Sequence, residues 1–546
     1  MADDFIASLH LPESFSDEDV SEAVAALILS ATDDENPAIS LEQIYRGLCQ
    51  SRIESLDPLS TLPHLLPSRA DAAKELISYI GEHGSPKEIV IAVQEVLERV
   101  ESAFNVEAGD GEEANTASPP DQLISLILLY NLAIPRLKLR KKSPSETIRP
   151  LLSQLESTIQ LAGPQLDRDQ GREIISATAK LTFNFFSWAT GVNPDDAVPC
   201  KEILSRLLDC SITAFSHCIR SSLAQRSFET LFPRLTIRST VEPGWEAGEK
   251  AVSDALAAYS SLGRTFELDS LPPVPSTSYL ILLSHSKILP SDTGRLLSFM
   301  LPILMASIQT NSALDESMSL LLQALHAAHF KAGQQLSPDI SVPLCVLLPS
   351  LASTHPDSDI RHQAFRILSR VLSLTPAELR LQILKDLTCD TDLPQMRVAA
   401  IGLVKEASLE FLSHEGTPSI FASPMFLQVL GPVLLRPDPV DLFHSNLSLS
   451  EIQDSSEPAR LVECLALYYI LLLRDQLNKT GIRDRDQISN VEKTLLSPLR
   501  STISRWMEDP NLENNHIHAI MPLVSLKTSL ERVDAAIAGL RSESAI

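Results

Sequence analysis

Aromatic residues make up only 5% of this chain of 546 residues, and glycine occurs 18 times. Phosphate loops and nucleophile elbows need glycine, because backbone must approach the ligand closely. The sequence contains no GxGxxG, no GK[ST] and no GxSxG. No alternating run of Val, Ile, Thr and Tyr between hairpin turns is present, which excludes a β-sheet domain as the expected fold. Cys49, Cys200, Cys210, Cys218, Cys345, Cys389 and Cys464 are an odd number, scattered, with no CxxC pair. They read as reduced thiols of the cytosol or nucleus. No Lys or Arg precedes Arg46, the opposite of the basic start of a signal peptide. The longest apolar runs, 123–134 and 461–473, fall short of the roughly 20 residues that span a bilayer. The expectation is a protein neither secreted nor membrane-spanning, cytoplasmic or also nuclear.

Hydrophobic residues reach 44%, so Leu, Ile, Val and Ala must fill the interior, the palette of packed helices. Among the 36 prolines, several, such as Pro86, Pro144 and Pro376, follow Ser or Thr and precede an apolar run, where the first helical position accepts them. Ser85, Pro86 and Glu88 predict a capping box opening a helix with the stripe Ile89, Val93, Val96, Leu97 and Val100. Ser143 and Pro144 open another, and a third runs over 172–189.

The chain therefore divides into an acidic segment (1–37), N-terminal helices (38–104), a disordered acidic linker (105–120) and helical repeats (121–267). A Pro-rich break (268–278), a second helical half (279–540) and a tail (541–546) follow. The most specific signal is internal repetition at an offset of 36. Asp359-Ile-Arg361 with Ala364, Ile367 and Leu368 is answered by Gln395-Met-Arg397 with Ala400, Leu403 and Val404. This resembles the HEAT repeat and predicts an all-α fold, an α-solenoid of HEAT- or armadillo-like helix pairs. An irregular helical bundle is the alternative.

A formal charge of −25 repels polyanions, so nucleic acid and anionic membranes are not the expected partners; basic protein surfaces are. Against this background Arg136, Lys138, Arg140, Lys141 and Lys142 form one basic run, read as a docking patch, a nuclear localisation signal or a solvated helix end. Trp245 and Trp506 are candidate partner anchors, or core residues. The pairs His326/His329 and His516/His518 lack an adjacent ligand set, and Asp357/Asp359, Asp390/Asp392 and Asp484/Asp486 read as helix caps rather than chelators. No catalytic, metal or cofactor site is expected.

The stretches 85–95 and 134–138 resemble the family that groups fungal Yap-binding proteins with glomulin and the plant aberrant-lateral-root protein. The resemblance, taken to cover most of the chain, implies a non-enzymatic adaptor. In the fungal branch the partner would be a Yap-type transcription factor of the oxidative stress response; a sister branch associates with kinetochores. In the glomulin branch the C-terminal repeats would cover the RING subunit of a cullin ubiquitin ligase. A general HEAT-repeat transport or assembly scaffold is the remaining class.

Overall fold

The computed structural model describes residues 16–33, 37–51, 53, 56–105, 116–236, 240–286, 288–331, 334–413, 419–439, 442–443, 455–507 and 517–543, the side chains of 17, 517–520, 542 and 543 excepted. Most of the expected acidic linker, residues 106–115, lies outside them, as does His516. The described chain is helical, and its sole β feature is an isolated bridge between Ser68 and Thr116.

Contacts separate two compact units, one of residues up to Asp292 with Pro302–Leu320, the other of Thr293–Leu301 with Leu321 onward. The Pro-rich stretch 268–278 lies inside the first unit.

The helices of the first unit are α1 (Asp17–Asp33), α2 (Leu41–Ser51), α3 (Pro58–Leu65), α4 (Asp71–His83), α5 (Pro86–Phe104), α6 (Pro119–Ala133), α7 (Pro144–Ala162), α8 (Arg168–Val192), α9 (Ala197–Ala214), α10 (Ser216–Ile219), α11 (Leu223–Leu231), α12 (Trp245–Ser261) and α13 (Thr277–His285). They form two rows. Helices α1, α3, α5, α7, α9 and α13 touch in succession along one row, and α2, α4, α6, α8 and α12 along the other. Each helix meets mainly its neighbour in the chain and the helix two places on, which is the connectivity of a solenoid. The short α10 and α11 are inserted between α9 and α12 without taking a place in either row.

Helices α14 (Thr293–Thr310) and α15 (Leu314–His329) contain the division. Beyond them come α16 (Pro338–Thr354), α17 (Ser358–Leu374), α18 (Ala377–Cys389), α19 (Pro394–Ser413), α20 (Pro424–Leu434), α21 (Glu457–Arg474), α22 (Arg485–Val491), α23 (Ser497–Met507) and α24 (Ile517–Glu543). Here α16 packs on α17, α18 on α19 and α20, and α19 on α21. The repeated apolar positions Ala364, Ile367, Leu368, Ala400, Leu403 and Val404 are all buried. The fold is an all-α solenoid of HEAT-like helix pairs.

Proline opens α3, α5, α6, α7, α16 and α20, where its missing N–H costs no hydrogen bond. Ser143 and Glu146 form a capping box at α7, and Asp167 and Gln170 another at α8. The box expected at Ser85 is absent, because the Ser85 hydroxyl accepts no bond from α5. That corner is fastened instead by Arg136, whose guanidinium donates to the carbonyls of Gly81 (2.7 Å) and Gly84 (2.9 Å).

Arginine closes helix ends elsewhere too. The paired Arg361 and Arg397 donate to His355 O (2.6 Å) and Thr388 O (3.1 Å), at the ends of the helices preceding their own. Arg460, fully buried on α21, donates to Val433 O (3.0 Å) and Arg436 O (2.7 Å) and forks onto the Glu457 carboxylate at 2.6 Å twice. Removing one partner of a buried ion pair strands the other charge. Arg460→Leu should therefore destabilise the second unit by about 3–5 kcal/mol in urea unfolding, and the double change with Glu457→Leu should cost clearly less. Equal losses would show that the helix-end bonds of Arg460, rather than its pairing, dominate.

Candidate functional site

The basic run divides in the structure. Arg136 is half-buried and committed to the α4–α5 corner, and desolvation lowers its pKa below the usual arginine value. Lys138, Arg140, Lys141 and Lys142 stand exposed on the loop between α6 and α7. Trp506 is buried in α23, its indole N–H meeting no acceptor among the described residues. Trp245 is half-exposed at the start of α12, with the Arg226 guanidinium 3.8 Å above its ring, a cation–π contact.

The acid pairs make local hydrogen bonds, two of them to backbone N–H and one to a side chain. Asp357 accepts from Asp359 N (2.8 Å) and Asp390 from Asp392 N (2.9 Å), while Asp484 holds the Asn478 amide (2.7 Å). His326 and His329 pack against Phe330. Among the described residues no three His, Cys, Asp or Glu side chains gather as metal ligands.

A cluster the sequence did not reveal joins α11, α12, α13 and α15 in the first unit. Ser221 Oγ lies 3.3 Å from His285 Nε2, and His285 Nδ1 lies 3.2 Å from Glu249 Oε2. The order Ser–His–Glu is that of a hydrolytic triad, but two facts oppose that role here. Ser221 has no solvent exposure. Burial pulls the His285 pKa down, yet its hydrogen bonds to Glu249 and Glu316 and their charges outweigh this and lift it to about 9, so the imidazole is protonated and cannot serve as a base.

The cluster is a structural lock. Asp315, whose carboxyl burial pushes up to about 6, accepts from Leu223 N and Ala224 N at 2.7 Å each and so caps α11 from another helix. Ser222, at the capping position itself, has φ 49° and makes no cap bond. Glu249, which the His285 hydrogen bond above all brings down to about 2, also binds Arg226 (2.9 Å). Beside it Arg172 donates to Ile219 O (2.7 Å) and Cys218 O (3.0 Å). A Cβ on Gly248 would stand 1.9 Å from Ile219 O, so α12 can pass this corner only with glycine there.

The first unit also carries a groove of about 510 Å³ where α6, α8 and α12 lie side by side. It is lined by Ile127, Leu128, Ala177, Phe183, Ala257 and Ala258, with Glu173, Lys180 and Asp254 among the polar lining residues. Alanine at 177, 257 and 258 leaves the hollow that larger side chains would fill. Phe183 is 51% exposed at its edge, an apolar surface of the kind that marks interaction sites.

All seven cysteines are free thiols; Cys49 and Cys389 are exposed and Cys210 is half-buried. Burial, first among the causes, pushes Cys200, Cys345 and Cys464 up to about 12 and Cys210 and Cys218 to about 11. No helix among the described residues is long and apolar enough to cross a membrane.

Two rows of antiparallel helices, a surface groove and interior polar locks define a helical-repeat protein of the scaffold class. Residues 287–537 match the family described as an uncharacterised protein family, YAP/Alf4/glomulin, so this C-terminal part of the chain is similar to that family. The stretches 85–95 and 134–138 lie outside the match, which covers a little under half of the chain rather than most of it. A search of curated proteins gave no match. Among solved structures, the crystal structure of importin beta in a polyethylene glycol condition is 10% identical, covering 99% of this chain and 88% of that one at a TM-score of 0.17. The fold assignment rests on the two rows of helices.

The lock carries a pH signature. A histidine raised from 6.5 to about 9 contributes stability that is whole below pH 6.5 and lost as pH rises through 9. Melting temperatures of the native chain and of His285→Gln should therefore differ most below pH 6.5 and converge by about pH 9. A constant gap across that range would mean that His285 is neutral in the folded protein.

Proposed function

We propose that the chain is a non-enzymatic adaptor whose partner is a Yap-type transcription factor of the oxidative stress response. The observation that supports the reading is the family match over 287–537, joined to a solenoid fold that offers long side-chain surfaces to one partner. Lys138, Arg140, Lys141 and Lys142 would dock an acidic stretch, and Trp245 would supply an apolar contact. If the adaptor assists an oxidation with its own thiols, the accessible Cys49 and Cys389 are the candidates, since the buried thiols hold their protons.

A second reading has one observation in its favour. The match lies wholly in the C-terminal part, the region through which the glomulin branch is expected to cover a RING subunit.

Pull-down from cells with and without peroxide decides between the two. Recovery of a Yap-type factor, strengthened by peroxide, is the expected result. Recovery of a cullin–RING ligase with no such factor would replace the first reading by the second. With the recovered partner, association should slow as salt rises while dissociation changes less, because attraction between unlike charges is screened beyond roughly 8 Å at physiological salt. Exchanging Lys138, Arg140, Lys141 and Lys142 for Gln should remove part of that salt dependence. An association rate indifferent to salt would place recognition on apolar packing alone.

Modification by a thiol reagent supplies an independent check. Cys49 and Cys389 should react first in the folded chain, and Cys464 only on unfolding. Early labelling of Cys200 or Cys345 would show that the first-unit or α16 core opens readily.

A further inference from the structure

The groove across α6, α8 and α12 is walled by helices whose backbone hydrogen bonds are already made, so it presents side chains and no strand edge. An extended peptide laid into it would bury unpaired N–H and C=O groups, at a cost in free energy. A helix satisfies its own backbone and can bury an apolar face without that loss. The lining is apolar at Ile127, Leu128 and Phe183 and hollow at Ala177, Ala257 and Ala258. This shape takes projecting aliphatic side chains at i, i+3, i+4 and i+7.

Charge narrows the occupant further. Glu173 on α8 and Asp254 on α12 border the hollow from two walls, and among the described residues no ion pair engages either; Lys180 is the one cation among the lining residues. Glu173 and Lys180 are seven residues apart on α8, two turns or about 10.5 Å. The volume falls within the roughly 300–1,000 Å³ of a ligand site.

We infer that this groove receives an amphipathic helix of a partner protein, apolar on the buried face and basic along the edge that meets Glu173 and Asp254. The inference rests on the adaptor reading but lies outside the matched region 287–537, so the two fail separately.

The probe is a stapled, fluorescein-labelled peptide of about 15 residues, leucine at i, i+3, i+4 and i+7 with Lys on the edge facing Glu173 and Asp254. Anisotropy with the full chain should show saturable binding, weakened about tenfold or more when those Lys are changed to Glu. Ala257→Trp, which fills the hollow at an exposed position, should weaken the Lys peptide comparably with the melting temperature unchanged. Should that variant melt early, Glu173→Lys with Asp254→Lys takes its place and should reverse the preference between the two peptides.

Equal binding of both peptides, or binding indifferent to the substituted groove in a folded variant, overturns the proposal. So does a concentration-dependent dimer of the native chain that Ala257→Trp abolishes, since the occupant would then be a second copy. Loss of the cellular partner on disrupting α16–α21, with peptide binding retained, would separate the groove from the activity of the matched region.

Discussion

The carbonyls at the end of each helix set the problem that this fold solves repeatedly. The last four C=O groups of a helix have no partner within it, and in a stack of short helices such ends recur every corner and lie against other helices. Arginine meets the need, with a planar fork that reaches several carbonyls at once and a charge that complements the negative end of the helix dipole. Arg136 closes α4, Arg172 closes α10, Arg361 and Arg397 close α16 and α18, Arg460 closes α20, and Arg483 closes α21 at Leu472 O (2.9 Å). In five of the six the arginine follows the helix it closes, so the bond fixes the angle at which the chain turns back as well as the carbonyls themselves.

Within each unit the consequence is local architecture. A helix pair buried on its neighbours gains little from distant parts of the chain, and stability accumulates step by step. The insertion of α10 and α11 interrupts this regularity in the first unit, and the interior locks gather there. Two left-handed residues, Arg220 and Ser222, turn the chain so sharply that α11 loses its own cap. Asp315 from α15 replaces that cap, and His285 and Arg226 offset the negative charge gathered there with Glu249 and Glu316. A buried carboxylate beside a second one would resist ionisation; the imidazolium between Glu249 and Glu316 is what makes the set tolerable.

These particulars show what a sequence carries. Helix starts were legible because the cap, the proline and the apolar stripe are contiguous, and the Arg361/Arg397 repeat because its spacing is regular. The absent box at Ser85 was not, since a distant arginine had taken over that corner. The Ser221–His285–Glu249 contact joins residues 64 and 36 positions apart by a turn whose geometry depends on Gly248 and on two left-handed residues. The groove is written in alanines, which in sequence are indistinguishable from ordinary helix formers. Composition pointed to Trp506 as an anchor, but it lies on the inward face of α23 and the ring is buried.

Arginine capping also bears on how the surface meets a partner. Arg136, Arg361 and Arg483 direct their charge at neutral carbonyls rather than at carboxylates, so they draw cations inward without neutralising acids. The excess of 70 acidic over 45 basic residues is thereby felt more strongly outside than the ratio suggests. A basic partner is drawn to such a surface from a distance of about a Debye length, while Lys138, Arg140, Lys141 and Lys142 remain as a local exception of opposite sign. Long-range attraction of that kind sets the rate of encounter more than the final affinity. Affinity must come from apolar area removed from water, and in the first unit the alanine-lined hollow beside Phe183 is where the helices leave such area open.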